Sequence, residues 1–385
     1  MSLDSRFPEA LVAFVRAQFA TQDFVPLHAP RFDARDVESV CEALESGFVS
    51  TVGTHVAQFE QSVAAYTGAH HAVATVNGTA ALHAALLIAG VQADDEVITQ
   101  SITFVATCNA IRYCGAEPVF VDIESATMGM APESLQAFLE AHAEWRDDGQ
   151  CWNRTTGRVI RACVPVHTGG HPVRIDRIAA ICREWGLVLV EDAAESLGSF
   201  YHGRHTGRTG ALAALSFNGN KILTTGGGGM ILTDAADLAH RARHLTTTAK
   251  RPHPYRYEHD AVGFNYRLPA LNAALGCAQM EKLPDYVARK RALAQRYGEW
   301  FHARGVPWVR EPEGARSNYW FNAFLAGNRM QRDAVLAYTN GQGVMTRPLW
   351  TPMHTLPMYA HCPRTELPVS EWLEARLVNV PSSVI

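Results

Sequence analysis

The chain has 385 residues, 47% of them hydrophobic and 19% charged, with a formal net charge of -4. That length predicts two domains, the larger of about 200 to 250 residues, and the faintly acidic balance sets nucleic acid aside as a default partner. No apolar run reaches the roughly 18 residues of a membrane span, and no basic stretch followed by an apolar one opens the chain, so a soluble, cytoplasmic protein is expected. Eight cysteines without a CxxC pair argue against a zinc ribbon, a redox pair or a disulfide framework. They are expected to be reduced and mostly buried.

Leu11, Val12, Phe14, Val15 and Phe19 recur at helical spacing and predict an amphipathic helix packed on the body. From His70 onward, apolar strands alternate with helices: HAVATV, AALHAALLIAG, DEVIT, VATCNAIRYCG, EPVFVDI and the helix PESLQAFLEAHAEW. After a polar loop near residues 147–158 come the strand VIRACVPV, the helix RIDRIAAICREWG and the strand LVLVED. Uninterrupted strands such as LVLV suit a parallel sheet covered on both faces. ALAALSF and GGGMILT read as two further strands, followed by a helix near residues 237–245. The stretch TTTAKRPHPYRYEHDAVGFNYR has no clear period and reads as an excursion. The expected division is a helical extension over 1–25, a large domain over 26–245, the excursion over 246–268 and a small C-terminal α/β domain over 269–385.

Ligands of an open parallel sheet sit at the carboxyl ends of its strands, and polar residues gather there. Asn77, Gly78 and Thr79 follow the first strand and open a helix, where free N–H groups and the helix dipole favour an anion; the same residues could serve only as a cap. Asp192 ends LVLVED, in a position to keep a pyridine nitrogen protonated or, alternatively, to cap the next turn. Glu195 follows it, as a polar candidate or a solvated turn residue. Lys221, in SFNGNKILTTGGGGM, has the setting of a Schiff-base lysine or of a free surface amine. The glycines 226–229 match neither a Walker A loop nor a GxGxxG turn, and read as backbone folding tightly beside a cofactor. Phe104 offers a ring for stacking, or core packing. His240 and His244 have metal-ligand spacing but no third ligand, so no metal is expected.

Together these are the parts of a pyridoxal-phosphate site. NGTAALHAAL, SITFVATCNAI, EPVFVDI, VPVHTGG, EDAAESLGS, SFNGNKILTTGGGGM and GFNYRLPALNAALG resemble the DegT/StrS family of sugar-nucleotide aminotransferases, over about Val25 to Ser383. VPLHAPRF and ESGFVSTVGTHVAQFE resemble its LegC/PglE-like branch, which handles UDP-linked 4-keto-6-deoxy N-acetylhexosamines.

The resemblance implies a fold-type-I homodimer with shared sites, binding pyridoxal 5'-phosphate and using L-glutamate as amino donor. It gives Lys221 the Schiff base and Asp192 the pyridine nitrogen. Gly78, Thr79 and Ser216 would hold the phosphate, Phe104 would stack on the ring, and Asn265 would reach the phosphate of the partner's site. Glu195 and His167 would lie near the ring. RPLWTPMHTLPMY is similar to the family's sugar-facing segment: Arg347 would meet the diphosphate, and Trp350, His354 and Tyr359 the sugar and its acetamido group. The alternative is that Pro348, Pro352 and Pro357 stiffen a loop whose aromatics are core. Family dehydratases are implied to carry histidine at the lysine position, so Lys221 argues against that chemistry. A non-catalytic sensor with the same cofactor would differ by lacking turnover.

Overall fold

A computed structural model describes residues 3–51 and 53–385. Its central sheet runs His71–Thr75, Gly229–Thr233, Leu212–Ser216, Val188–Asp192, Arg158–Val164, Glu96–Gln100, Glu117–Val121 in spatial order. Every neighbouring pair is parallel except those made by Gly229–Thr233, which runs antiparallel to both its neighbours. Along this path the expected mostly parallel sheet is mixed at one strand, and off the path a short pair adds antiparallel pairing beside Arg158–Val164.

Side chains alternate across the sheet with the period of two that a strand imposes. Val73, Leu212, Ala214 and Ile231 face one side, with the helices Gly78–Ile88 and Ala236–Thr246. Ala72, Ala74, Ala213, Leu215, Met230 and Leu232 face the other, against Phe59 and Val63 of the helix Thr54–Thr67. Farther along that second side, Ile98, Val121 and Leu189 meet the helices Pro132–His142 and Ile175–Glu184. Being covered on both faces is what makes these strands uniformly apolar.

Two local expectations change. The helix predicted through Trp145 stops at His142, because Ala143 is extended (φ -91°, ψ 149°). Ala143–Trp145 then pairs with Cys151–Asn153, so the polar loop contains a strand that joins Arg158–Val164. The helix Ala270–His302 also spans two cores: Ala273, Leu283 and Val287 pack under the central sheet, while Leu293, Tyr297 and Phe301 pack with Phe324 and Val378 of the C-terminal sheet. Pro269 is thus no break in packing. Phe7, Leu11, Val12 and Val15 of the helix Phe7–Phe19 join that second core, which includes two strands of the antiparallel trio Asn322–Leu325, Leu377–Val380 and Arg347–Pro348. Six of the eight free cysteines are buried. Among the described residues no helix is long and apolar enough to cross a membrane.

Candidate active site

A cleft of about 670 Å³ opens at the carboxyl ends of the parallel strands, between the central sheet and the C-terminal unit. Asp192 closes the strand Val188–Asp192 and is 7% exposed. Its Oδ2 accepts from Thr107 Oγ1 at 2.7 Å and its Oδ1 from the Ala194 N–H at 3.2 Å. Thr107 is in turn 2.7 Å from the Thr103 hydroxyl. A carboxylate held from both oxygens on a rigid strand end presents a fixed negative charge to the cleft.

The turn 77–79 caps its helix and leaves further N–H groups without an intrahelical acceptor. Asn77 Oδ1 accepts from the Ala80 N–H at 2.7 Å and caps the helix Gly78–Ile88. One cap satisfies one donor, and the N–H groups of Gly78 and Thr79 have no intrahelical acceptor. They line the cleft beside Ser216, an arrangement that takes a dianion. Close backbone approach builds this cradle. A Cβ on Gly78 would lie 2.8 Å from Ser216 Cβ, and one on Gly229 would lie 2.4 Å from the Asn77 carbonyl oxygen. Both positions must be glycine for the turn, the strand Leu212–Ser216 and the antiparallel return to meet.

Lys221 lies on that return loop. Its Nζ sits 3.5 Å from Glu195 Oε1 and 4.1 Å from the centre of the Trp320 ring. Trp320 is itself pinned by its indole N–H donating to the Asn220 carbonyl at 2.7 Å. An ammonium between a ring face and a carboxylate is confined without being neutralised by a tight pair. Glu195 is buried, and burial pushes its carboxyl up to about 7 against the opposing pull of Lys221. Its Oε2 accepts from the Gly169 N–H at 2.9 Å. A carboxyl and an amine in contact, one of them titrating near neutrality, can exchange a proton. Phe104 is 54% exposed at the cleft wall.

Gly78, Thr79, Phe104, Asp192, Glu195, Ser216, Lys221, Arg347 and Trp350 therefore converge. Four candidates do not line the cleft. His167 is fully buried, its Nε2 2.9 Å from Glu191 Oε2 and its Nδ1 accepting from the Val173 N–H, so it braces the sheet behind the site. His354 is 2.7 Å from Ser101 Oγ through Nδ1. Tyr359, 2% exposed, bonds Asn109 at 2.5 Å and packs with Phe120 and Cys108. These two belong to the loop core, the alternative that the prolines suggested. Asn265 is exposed in a separate recess with Lys250, Arg251 and Arg267. Sequence reasoning missed Thr107 and Trp320. Thr107 sits within a quoted motif, whereas Trp320, 99 residues beyond Lys221, carries no local signal.

Residues 30–384 match the DegT/DnrJ/EryC1/StrS aminotransferase family. A GDP-perosamine synthase of Caulobacter vibrioides is 35% identical over 363 residues, 93% of each chain. Among solved structures, the aminotransferase TlmJ from Streptoalloteichus hindustanus superposes with a TM-score of 0.84 at 30% identity, over 93% of each chain. DesI, solved with its TDP-sugar product, gives 0.82 at 31% identity, over 96% of this chain and 91% of that one. With the match spanning nearly the whole chain, this protein belongs to the DegT/DnrJ/EryC1/StrS family of pyridoxal-phosphate-dependent aminotransferases.

Proposed function

We propose that this aminotransferase moves an amino group from glutamate to C4 of a 4-keto-6-deoxy sugar carried on a nucleoside diphosphate. The observation that carries the reading is the meeting of Lys221, Glu195 and Asp192 with the free N–H groups of Gly78 and Thr79 in one cleft. This donor set fits pyridoxal phosphate. Gly78, Thr79 and Ser216 suit its phosphate, and Phe104 suits its ring. Asp192, on the firm strand end, suits the protonated pyridine nitrogen. When bound, the cofactor supplies an electron sink for a carbon bearing nitrogen.

The chain's residues supply the proton chemistry. Asp192, a charge fixed on its strand end, would hold a proton on the ring nitrogen. Lys221 Nζ takes a proton from the donor's α-carbon and returns one to the sugar carbon. Glu195, 3.5 Å away and titrating near 7, sets the protonation of that amine between the two halves. Trp320 keeps Nζ from swinging to solvent. Arg347, at the exposed rim, suits a diphosphate. We further propose a homodimer in which the exposed Asn265 reaches the neighbour's cofactor phosphate.

For the sugar, the motifs VPLHAPRF and ESGFVSTVG support a UDP-linked 2-acetamido-2,6-dideoxy-4-ketohexose. A second reading, a GDP-linked 4-keto-6-deoxyhexose, is favoured by the 35% identity to a GDP-perosamine synthase. The burial of His354 and Tyr359 also removes two groups proposed for the acetamide. The test is turnover of glutamate to 2-oxoglutarate with matched keto sugars, the product identified by mass. No turnover with any 4-keto sugar nucleotide overturns the proposal. A kcat/KM on the acetamido substrate at or below that on the GDP sugar selects the second reading, since an unmet buried polar contact should cost about 1 to 3 kcal/mol.

A further inference from the structure

The outer edge of the central sheet carries a second cluster of reactive side chains, outside the cleft. Glu117 opens the edge strand Glu117–Val121, and His361 and Cys362 come from the loop that follows the cleft-lining segment. His361 Nε2 lies 2.9 Å and Cys362 Sγ 3.0 Å from the same oxygen, Glu117 Oε1. All three ligand atoms fall within 4.8 Å of one another. Glu117 and Cys362 are buried and His361 is exposed, so the cluster is reachable from one side only. The other carboxylate oxygen, Oε2, is bound by Arg112, with Arg158 at 3.6 Å. That leaves Oε1 pointed at the imidazole and the thiol.

One thiolate sulfur, one imidazole nitrogen and one carboxylate oxygen form a three-ligand set suited to zinc, with the fourth tetrahedral position open to water. Bonds of about 2.0 to 2.3 Å to such ligands separate them by roughly 3.3 to 3.8 Å, so the two contacts to Glu117 Oε1, at 2.9 and 3.0 Å, need widen by only about 0.5 Å. Arg112 on Oε2 would orient the carboxylate as an outer-shell partner does.

We propose that Glu117, His361 and Cys362 form a binding site for Zn²⁺, with water as its fourth ligand. On binding, the Cys362 thiol proton leaves to solvent, and the imidazole carries its remaining proton on Nδ1 so that Nε2 can ligate. The metal would fasten the end of the loop whose earlier residues, Leu349, Trp350 and Thr351, line the cleft. That loop already joins the edge strand through the Phe120 N–H to the Pro363 carbonyl and the Thr365 N–H to the Phe120 carbonyl. The site would lock a rim of the active site to the sheet and take no part in the reaction.

The experiment titrates the full-length, cofactor-loaded enzyme with Zn²⁺ against a chelating dye, and with Co²⁺ read by visible spectroscopy. One equivalent per chain should bind, with the d–d bands of a tetrahedral cobalt–thiolate site. His361→Ala, on an exposed side chain the fold does not depend on, should weaken binding by more than the roughly 10- to 100-fold typical of losing an outer-shell partner. Cys362→Ser should abolish the thiolate signature, and Cys41→Ser, at an exposed cysteine elsewhere, should change nothing. Absence of stoichiometric uptake by the wild type overturns the proposal. Uptake that survives His361→Ala unchanged, or an octahedral cobalt spectrum, overturns it equally.

Discussion

Replacing Glu195 by glutamine tests the electrostatics of the cleft directly. In the folded cofactor-free protein its carboxyl is raised from the ordinary 4.5 to about 7, chiefly by burial. A difference of about 2.5 at 1.36 kcal/mol each comes to about 3 kcal/mol. Between pH 4.5 and 7 the folded chain keeps this proton and the unfolded chain has lost it, so stability falls as pH rises. The wild type holds the full contribution below about 4.5 and has lost it above about 7. Glutamine cannot titrate, yet its carbonyl can still accept from the Gly169 N–H. Glu195→Gln should therefore gain on the wild type with rising pH, by up to about 3 kcal/mol between pH 4.5 and 8. Urea unfolding of both apo proteins at one protein concentration, at several pH values, measures the difference. A stability difference independent of pH, or a wild type that gains on the variant as pH rises, would refute the burial argument.

Asp192→Asn should fold normally, because the amide can still meet Thr107 and Ala194, but should lose most turnover; near-wild-type kcat would remove Asp192 from its role. His167→Ala should act on stability rather than on substrate affinity. It breaks a buried contact with Glu191, at a cost of about 3 kcal/mol, seen as a lower denaturation midpoint with KM unchanged, whereas a large KM effect would return His167 to the cleft. Mixing inactive Lys221→Ala with inactive Asn265→Asp should restore activity if sites are shared, because one site of each mixed dimer then has both native residues. Failure to recover any activity after subunit exchange would count against the shared site.

The seven strands on the main path of the central sheet, their order along the chain and the residues at their ends were legible in the amino-acid sequence. Each depends on a local property: an apolar run of strand length, a glycine where backbone must approach backbone, a polar residue at the point where the run stops. Gly78, Asp192 and Lys221 were visible for that reason. The tertiary structure alone decided which side chains share a volume. His354 and Tyr359 have the chemistry of sugar contacts, but the loop turns them toward Ser101 and Asn109 and buries them. His167 follows a strand that ends in the site, yet its ring points behind it, to Glu191. Trp320 reaches Lys221 only because the long helix Ala270–His302, built into both cores, sets the C-terminal unit against the sheet. Sequence periodicity fixes what a residue's own element can bury, whereas contact between elements a hundred residues apart is set by how their surfaces pack, which no local pattern encodes.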